Sequence, residues 1–304
     1  MRLSSASANL QTISQLSNPQ PVRFPKNASP GGFVEVDAFS KINLFLDVLG
    51  KRSDGYHDLV SVMQGLLLCD TLKISIGDAK GIYLETNDTK LPTDSTNLVV
   101  KAAKMLMNEY SIISSLKIKL TKRIPMGAGL GGGSSDAAAT LLGLDYLFNL
   151  QIGMDKLLEM GKKLGADVPF CLLVNSGMAS TAIAKGIGEK LEPLHNFQKH
   201  CVVLACPPIH VSTKEIFGLI SEYSTGEMGD TVLYNFFTPI TSAKYPIIQE
   251  LIRALKSEGA SDAEMTGTGS TVFAYFADTY QARAACDKLH EKFSTVKFMV
   301  TSQI

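Results

Sequence analysis

Five glycines fall within seven residues, at 127, 129, 131, 132 and 133, and two serines, Ser134 and Ser135, follow directly. Glycines let a backbone pass close to a ligand and accept positive φ. The next residues, Ala137–Phe148, have a strongly helical composition, so the serines stand where a helix opens. Free amides and the positive end of the dipole favour an anion there. Successive glycine amides can also form a nest for phosphate oxygens. The predicted chemistry is phosphate binding, with serine hydroxyls in reach of phosphate or Mg²⁺. No lysine follows the glycines, so this is not a Walker loop. No parallel βαβ unit surrounds them, so it is not a dinucleotide fingerprint. A flexible turn is the competing reading, but a linker would not be expected to run into an Ala-rich helix.

Three further segments carry residues of chemical interest. Lys41 and Asn43 lie two apart in an alternating stretch, so both point the same way. A fixed ammonium there can offset phosphate charge; a solvated lysine on an outer strand face is the plainer alternative. Tyr56-His57 follows an Asp-Gly turn. A tyrosine ring can stack on a base and a histidine can bond its polar edge, or the pair can simply close a hairpin. Thr266-Gly-Thr-Gly-Ser270 is a second glycine motif, which alone reads as a turn between two strands.

These residues need elements to hold them. Val34, Val36, Ala38, Ile42, Leu44, Leu46 and Val48 share one parity, interrupted by Ser40. The other parity is mostly polar, which predicts a strand with one core face and one outward face. Further strands are expected at 71–76, 82–85 and 115–121, and helices near 97–109, 135–148 and 155–164. The first half therefore reads as α+β rather than a doubly wound sheet. In the second half, 201–205 is an apolar strand and Ser212-Thr-Lys-Glu215 is a capping box opening a helix. A helix near 246–257, strands near 263–266 and 271–276, a helix capped by Asp278 and a strand at 296–301 complete a β-α-β-β-α-β order with one extra helix. That is a ferredoxin-like, split βαβ pattern. The expected division is an N-terminal extension over 1–33, one domain over 34–190 and a second over 191–304.

Composition limits the function. Basic and acidic residues balance at 29 each, which argues against a nucleic-acid partner bound by phosphate neutralisation. No apolar run reaches the roughly 18–20 residues of a membrane span. The five cysteines are scattered without a C-x-x-C, which fits reduced thiols in a cytosol-like compartment. The five histidines show no zinc-ligand spacing. Residues 1–33 hold six serines, three basic residues and no acid. They read as a disordered tail or as an organelle transit peptide, which would move the location to a plastid or another organelle.

The stretch from Pro125 to Ala138, P-M-G-A-G-L-G-G-G-S-S-D-A-A, resembles the phosphate loop of the GHMP kinase superfamily. Ala38–Leu46 with Asp54-Gly-Tyr-His57, Gly165-Ala-Asp-Val-Pro-Phe170 and Thr266–Ser270 extend the resemblance over residues 34–304 in the family's motif order. They narrow it to the branch acting on cytidine-diphosphate methylerythritol in non-mevalonate isoprenoid precursor synthesis. The resemblance implies a two-domain fold, with a ribosomal-protein-S5-domain-2-like nucleotide domain and a ferredoxin-like second domain. It implies ATP as co-substrate, Mg²⁺, and a cytidine diphosphate sugar alcohol as the partner, without nucleic acid or membrane, in a monomer or weak homodimer.

Residue by residue, the resemblance makes Asp167 the general base and Lys41 its catalytic partner; from local sequence, Asp167 reads as a turn or cap. Asn43 would orient the acceptor hydroxyl or Asp167. Tyr56 and His57 would bind cytosine, with Ile183 as a lid, because 178–189 lacks an aromatic. Asn97 and Lys122 would face adenosine; the plainer alternatives are a cap of the 97–109 helix for Asn97 and a solvated strand end for Lys122. Pro125, Gly127, Gly129, Leu130, Gly131, Gly132, Gly133, Ser134 and Ser135 would hold phosphates, closed over by Gly267 and Gly269. Ser135 would be a Mg²⁺ ligand. The alternatives are another GHMP kinase, for homoserine or a mevalonate-type alcohol, and a non-catalytic ligand sensor or RNA-binding module on the same fold.

Overall fold

The computed structural model describes residues 27–28, 32–77, 81–195, 199–220 and 233–304. The expected extension over 1–33 lies outside the described residues except at 27–28 and 32–33. Among the described residues, no helix is long and apolar enough to cross a membrane.

A long antiparallel hairpin organises the molecule. Its strands are β2 (Phe33–Lys51) and β3 (His57–Ile76), paired along nearly their whole length with three register shifts. The expected strand at 71–76 is only the end of β3. Next to it lie β5 (Leu116–Thr121), antiparallel, and β4 (Ile82–Thr86), parallel to β5. β1 (Asn27–Ala28) pairs with the outer side of β2. The other end of β3 carries β6 (Thr181–Gly186), and β7 (Lys190–Leu194) pairs with β6. The first sheet thus runs on to Leu194.

Among the described residues, four helices cover one face of this sheet: α1 (Leu98–Glu109), α2 (Gly132–Leu147), α3 (Met154–Leu164) and α4 (Val168–Ser176). α2 opens three residues earlier than expected, so Gly132 and Gly133 already belong to its first turn. Its alanines and leucines are buried on nearly every side, because it is wedged between the sheet, α1 and α4. Val34, Val36 and Ala38 of β2 pack into the same core. Small alanines suit this position because they let a helix lie close to a sheet without losing packing.

The second sheet has the order β10 (Asp262–Met265), β11 (Val272–Phe276), β8 (Cys201–Cys206), β12 (Lys297–Ser302), antiparallel throughout. Inserting β11 between β8 and β10 gives the split βαβ topology. Its helices are α5 (Thr213–Gly218), the short α6 (Thr238–Lys244), α7 (Ile247–Ser257) and α8 (Thr279–Lys292). Ser212 caps α5 by accepting from the Glu215 amide, and Asp278 caps α8 by accepting from the Gln281 amide. Both caps agree with the sequence. The two-residue β9 (Tyr234–Asn235) crosses back to pair in parallel with β2.

The second sheet stacks on the far half of the hairpin, where Ile42, Leu44, Val62 and Leu66 meet Val202, Leu204 and Phe273. This changes one expectation. The odd-parity face of β2 is not solvent-facing between 39 and 46: every residue there is buried. The even-parity Ile42 and Leu44 meet the second sheet, while odd-parity Phe39 packs with Phe170 and Val174 of α4, and a register shift separates Phe39 from Lys41.

Candidate active site

The glycine loop runs between the two layers and takes its shape from three positive-φ residues, Gly127, Gly129 and Gly131. Two of them are required by their neighbours. A Cβ on Gly131 would stand 2.8 Å from Cγ of Lys41, so the lysine stem passes through the space a side chain would fill. A Cβ on Gly129 would stand 2.8 Å from the Thr266 carbonyl oxygen and 3.0 Å from that of Gly269. The second glycine motif thus backs directly onto the first. The Lys41 amide donates to the Leu130 carbonyl at 3.0 Å, fixing the loop to β2.

Lys41 is 5% exposed, so it is not a solvated strand residue. Its Nζ donates to Oδ1 of Asn43 at 2.9 Å and lies 3.4 Å from Oδ2 of Asp167. Asp167 holds the N-cap position of α4, but its side chain accepts no capping hydrogen bond. Its carboxylate, 36% exposed, faces the cleft. Asn43 touches Lys41 rather than Asp167. Its Oδ1 also accepts from Oγ1 of Thr266 at 3.2 Å, and its Nδ2 donates to Oγ of Ser61 at 2.8 Å. It fixes the ammonium and ties β2 to the second glycine motif.

Two cavities meet here. The larger, about 850 Å³, contains Lys41, Asn43, Tyr56, His57, Asp167, Gly267 and Thr268 in its walls. The smaller, about 390 Å³, is walled by Asn97, Lys122, Pro125, Leu130 and the five loop glycines. Gly129, Gly131 and Ser134 line both. The expected phosphate-loop residues therefore gather in one cavity, with Lys41 and Asp167 beside the shared wall. Gly269 lines neither and acts only as backing for Gly129.

Two expected residues are elsewhere. Ser135 is fully buried, and its Oγ donates to Oδ1 of Asn175 at 3.2 Å, so it faces away from both cavities and cannot serve as a cation ligand; Ser134 has the open position. Helix periodicity explains this: adjacent residues in the first turn of α2 point about 100° apart. Ile183 lies in the core between the layers, while its neighbour Ala184 and then Ile187 line the cleft. A strand alternates its faces, so the neighbour takes the lid position.

The aromatic wall that sequence reasoning sought in 178–189 comes instead from α5. The Phe217 ring lies 5.4 Å from that of His57, and both line the cleft with the exposed Tyr56. Its only local signal was the capping box at Ser212, which announces a helix but not where the helix docks. The smaller cavity also has apolar walls that were not anticipated, from Leu91, Pro92, Leu98 and Met126.

Asn97 keeps its plain capping role while lining the cavity, whereas Lys122 is not a solvated strand end: its side chain is 6% exposed. Asn97 caps α1 by accepting from the Val99 amide at 2.8 Å. Lys122 donates to Asp136 at 2.8 Å and also to Asp70. Asp70 in turn accepts from the backbone amides of Arg123 and Ile124, at the entry to the loop. Burial, only partly offset by the shared ammonium, pushes the Asp136 carboxyl up to about 7. Burial would lower the Lys122 ammonium, but the two carboxylates outweigh it and hold it above its ordinary value.

The GHMP kinases N terminal domain model matches residues 97–175, and the GHMP kinases C terminal model matches 218–295. A 4-diphosphocytidyl-2-C-methyl-D-erythritol kinase from Clostridium botulinum (strain Eklund 17B / Type B) is 36% identical over 280 residues, covering 86% of this chain and 98% of the relative. One of the same name from Thermoanaerobacter pseudethanolicus is 38% identical, covering 88% and 96%. A crystal structure of 4-(cytidine 5'-diphospho)-2C-methyl-D-erythritol kinase superposes with a TM-score of 0.76 at 28% identity, covering 88% of this chain and 98% of that one. With this agreement in both halves and over nearly the full length of its relatives, the chain belongs to the 4-diphosphocytidyl-2-C-methyl-D-erythritol kinases of the GHMP kinase family.

Proposed function

We propose that this protein transfers the terminal phosphoryl group of ATP to the 2-hydroxyl of 4-diphosphocytidyl-2-C-methyl-D-erythritol, releasing ADP, as a step in non-mevalonate isoprenoid precursor synthesis. The observation that carries the reading is the Lys41–Asp167 pair, 3.4 Å apart, at the junction of two cavities that share the glycine loop. On this reading, residues 34–190 form the nucleotide-binding part and 191–304 close the acceptor cleft.

The apolar walls of the smaller cavity take the adenine, and the loop amides with the first turn of α2 take the phosphates. In the larger cleft, Tyr56 and Phe217 flank the cytosine and His57 bonds its polar edge. Asp167 accepts the proton of the 2-hydroxyl as that oxygen attacks the terminal phosphorus and the bond to ADP breaks. Lys41, held by Asn43, faces the Asp167 carboxylate and stabilises charge on the transferring group. A tertiary hydroxyl is hindered and weakly acidic, so placement contributes more here than base strength.

Mg²⁺ suits this donor set. Among the described residues no cluster of three or more ligating side chains exists, and a phosphate-bound Mg²⁺ needs only one or two protein oxygens. Ser134, which lines both cavities, would supply one. The ion would neutralise charge on the phosphate oxygens.

The test is ATP consumption with three alcohols. Turnover with the cytidine substrate and none with homoserine or mevalonate is expected, because neither of those carries a base for the Tyr56–Phe217 end. Turnover of homoserine without turnover of the cytidine substrate would overturn the reading.

A further inference from the structure

α5 forms one wall of the larger cleft and connects its two ends. At the start of the helix, Oγ1 of Thr213 lies 3.1 Å from Oγ1 of Thr268, in the glycine motif that borders Asn43. Near its end, the Phe217 ring meets His57 at 5.4 Å. Lys214 lies between them, three residues before Phe217 and so on the same helix face, and it lines the cleft. Among the described residues, Lys214 has no hydrogen bond or ion pair. The adjacent acid is occupied elsewhere, since Glu215 pairs with Lys244. Of the titratable residues lining the cleft, Lys41, Lys51, His57 and Lys214 can carry positive charge, and Asp167 is the one carboxylate.

We infer that Lys214 binds the diphosphate of the acceptor substrate and measures the distance between its base and its reacting hydroxyl. The inference rests on the reading under Proposed function and adds a residue to it. The substrate is linear in its chemistry: base, ribose, diphosphate, polyol. If the base sits at Phe217 and the polyol at Lys41, the diphosphate falls at the height of Lys214. Four residues of helix span about 6 Å, the scale of a diphosphate. An otherwise unpaired ammonium gains most from two adjacent phosphates, which bring charge it does not meet in the free protein.

The probes are CDP and cytidine, titrated into the full chain with a non-hydrolysable ATP analogue occupying the nucleotide cavity. Wild-type protein is expected to bind CDP more tightly than cytidine. Lys214→Met is expected to weaken CDP about tenfold and leave cytidine unchanged, with Lys214→Arg restoring most of the loss. Lys214 is exposed, so a thermal melt should show all three proteins equally folded. CDP binding by Lys214→Met equal to wild type would overturn the assignment alone, as would an equal loss for CDP and cytidine. Wild-type protein that binds neither CDP nor cytidine would overturn the substrate reading, and this assignment with it.

Discussion

Two lysine–aspartate clusters lie against consecutive glycines of the glycine loop, and they differ in burial. Lys41 passes Gly131 and faces Asp167, whose carboxylate is 36% exposed and bears no capping bond. Lys122 lies against Gly132 and is shared by Asp70 and Asp136, both at 3% exposure or less. The first cluster keeps a carboxylate available to a ligand. In the second, Asp70 is saturated by Lys122 and two backbone amides, pinning the entry of the loop to β3 and the start of α2. The same residue types therefore leave a carboxylate open in one cluster and seal both carboxylates in the other. Burial and partner count distinguish the roles; residue type does not.

The contrast breaks most readily at Asp167. Asp167→Asn is expected to lower turnover by about 10²–10⁴-fold, with binding of an ATP analogue nearly unchanged. Steady-state rates and a binding titration on the same preparation check both halves. Lys122→Met should fail in the other direction: two buried carboxylates lose their ammonium, and stability falls by about 3–5 kcal/mol in a denaturant titration. Lys41→Met, by contrast, should keep a melting temperature within about 4 °C of wild type while turnover collapses. Similar unfolding of both lysine variants would erase the distinction.

The sealed cluster also carries a pH signature. Burial pushes the Asp136 carboxyl up to about 7 in the folded chain, above its ordinary value of 3.8. The folded state therefore holds a proton that the unfolded state has released, and this contribution to stability is full below about 4 and is lost as pH rises through 7. Asp136→Asn should flatten the dependence of denaturation midpoint on pH between 4 and 7; an unchanged slope would remove Asp136 as its source. A smaller effect concerns the aromatic end, where Tyr56→Ala should weaken the cytidine substrate far more than ATP in competition assays. The smallest separates the two serines. Ser135→Ala loses its bond to Asn175, at about 1 kcal/mol of stability, and keeps turnover, whereas Ser134→Ala lowers turnover.

Much of this was legible because the signals are local. The caps at Ser212 and Asp278 and the apolar run at 201–206 mark their elements within a few residues, and they lie where the split βαβ pattern requires. The spacing of Lys41 and Asn43 correctly places both on one face. What alternation could not reveal is that this face is buried, by Phe170 and Val174 against Phe39, by Gly131 against Lys41 and by Thr266 against Asn43, all distant in sequence. α4 escaped notice because V-P-F-C-L-L-V-N-S is apolar on every side and has no period. Ser135 was misplaced because a motif names residues without giving the helix phase. Phe217 was missed because its meeting with His57 is purely tertiary.

The central claim is that Lys41 and Asp167 flank the reacting hydroxyl. A crystal structure with an ATP analogue and the cytidine substrate tests it most directly. The account predicts the 2-hydroxyl oxygen within about 3 Å of an Asp167 carboxylate oxygen, with the terminal phosphate beside Lys41 and in line with that hydroxyl. A hydroxyl directed into another crevice, or a terminal phosphate remote from Lys41, would contradict it.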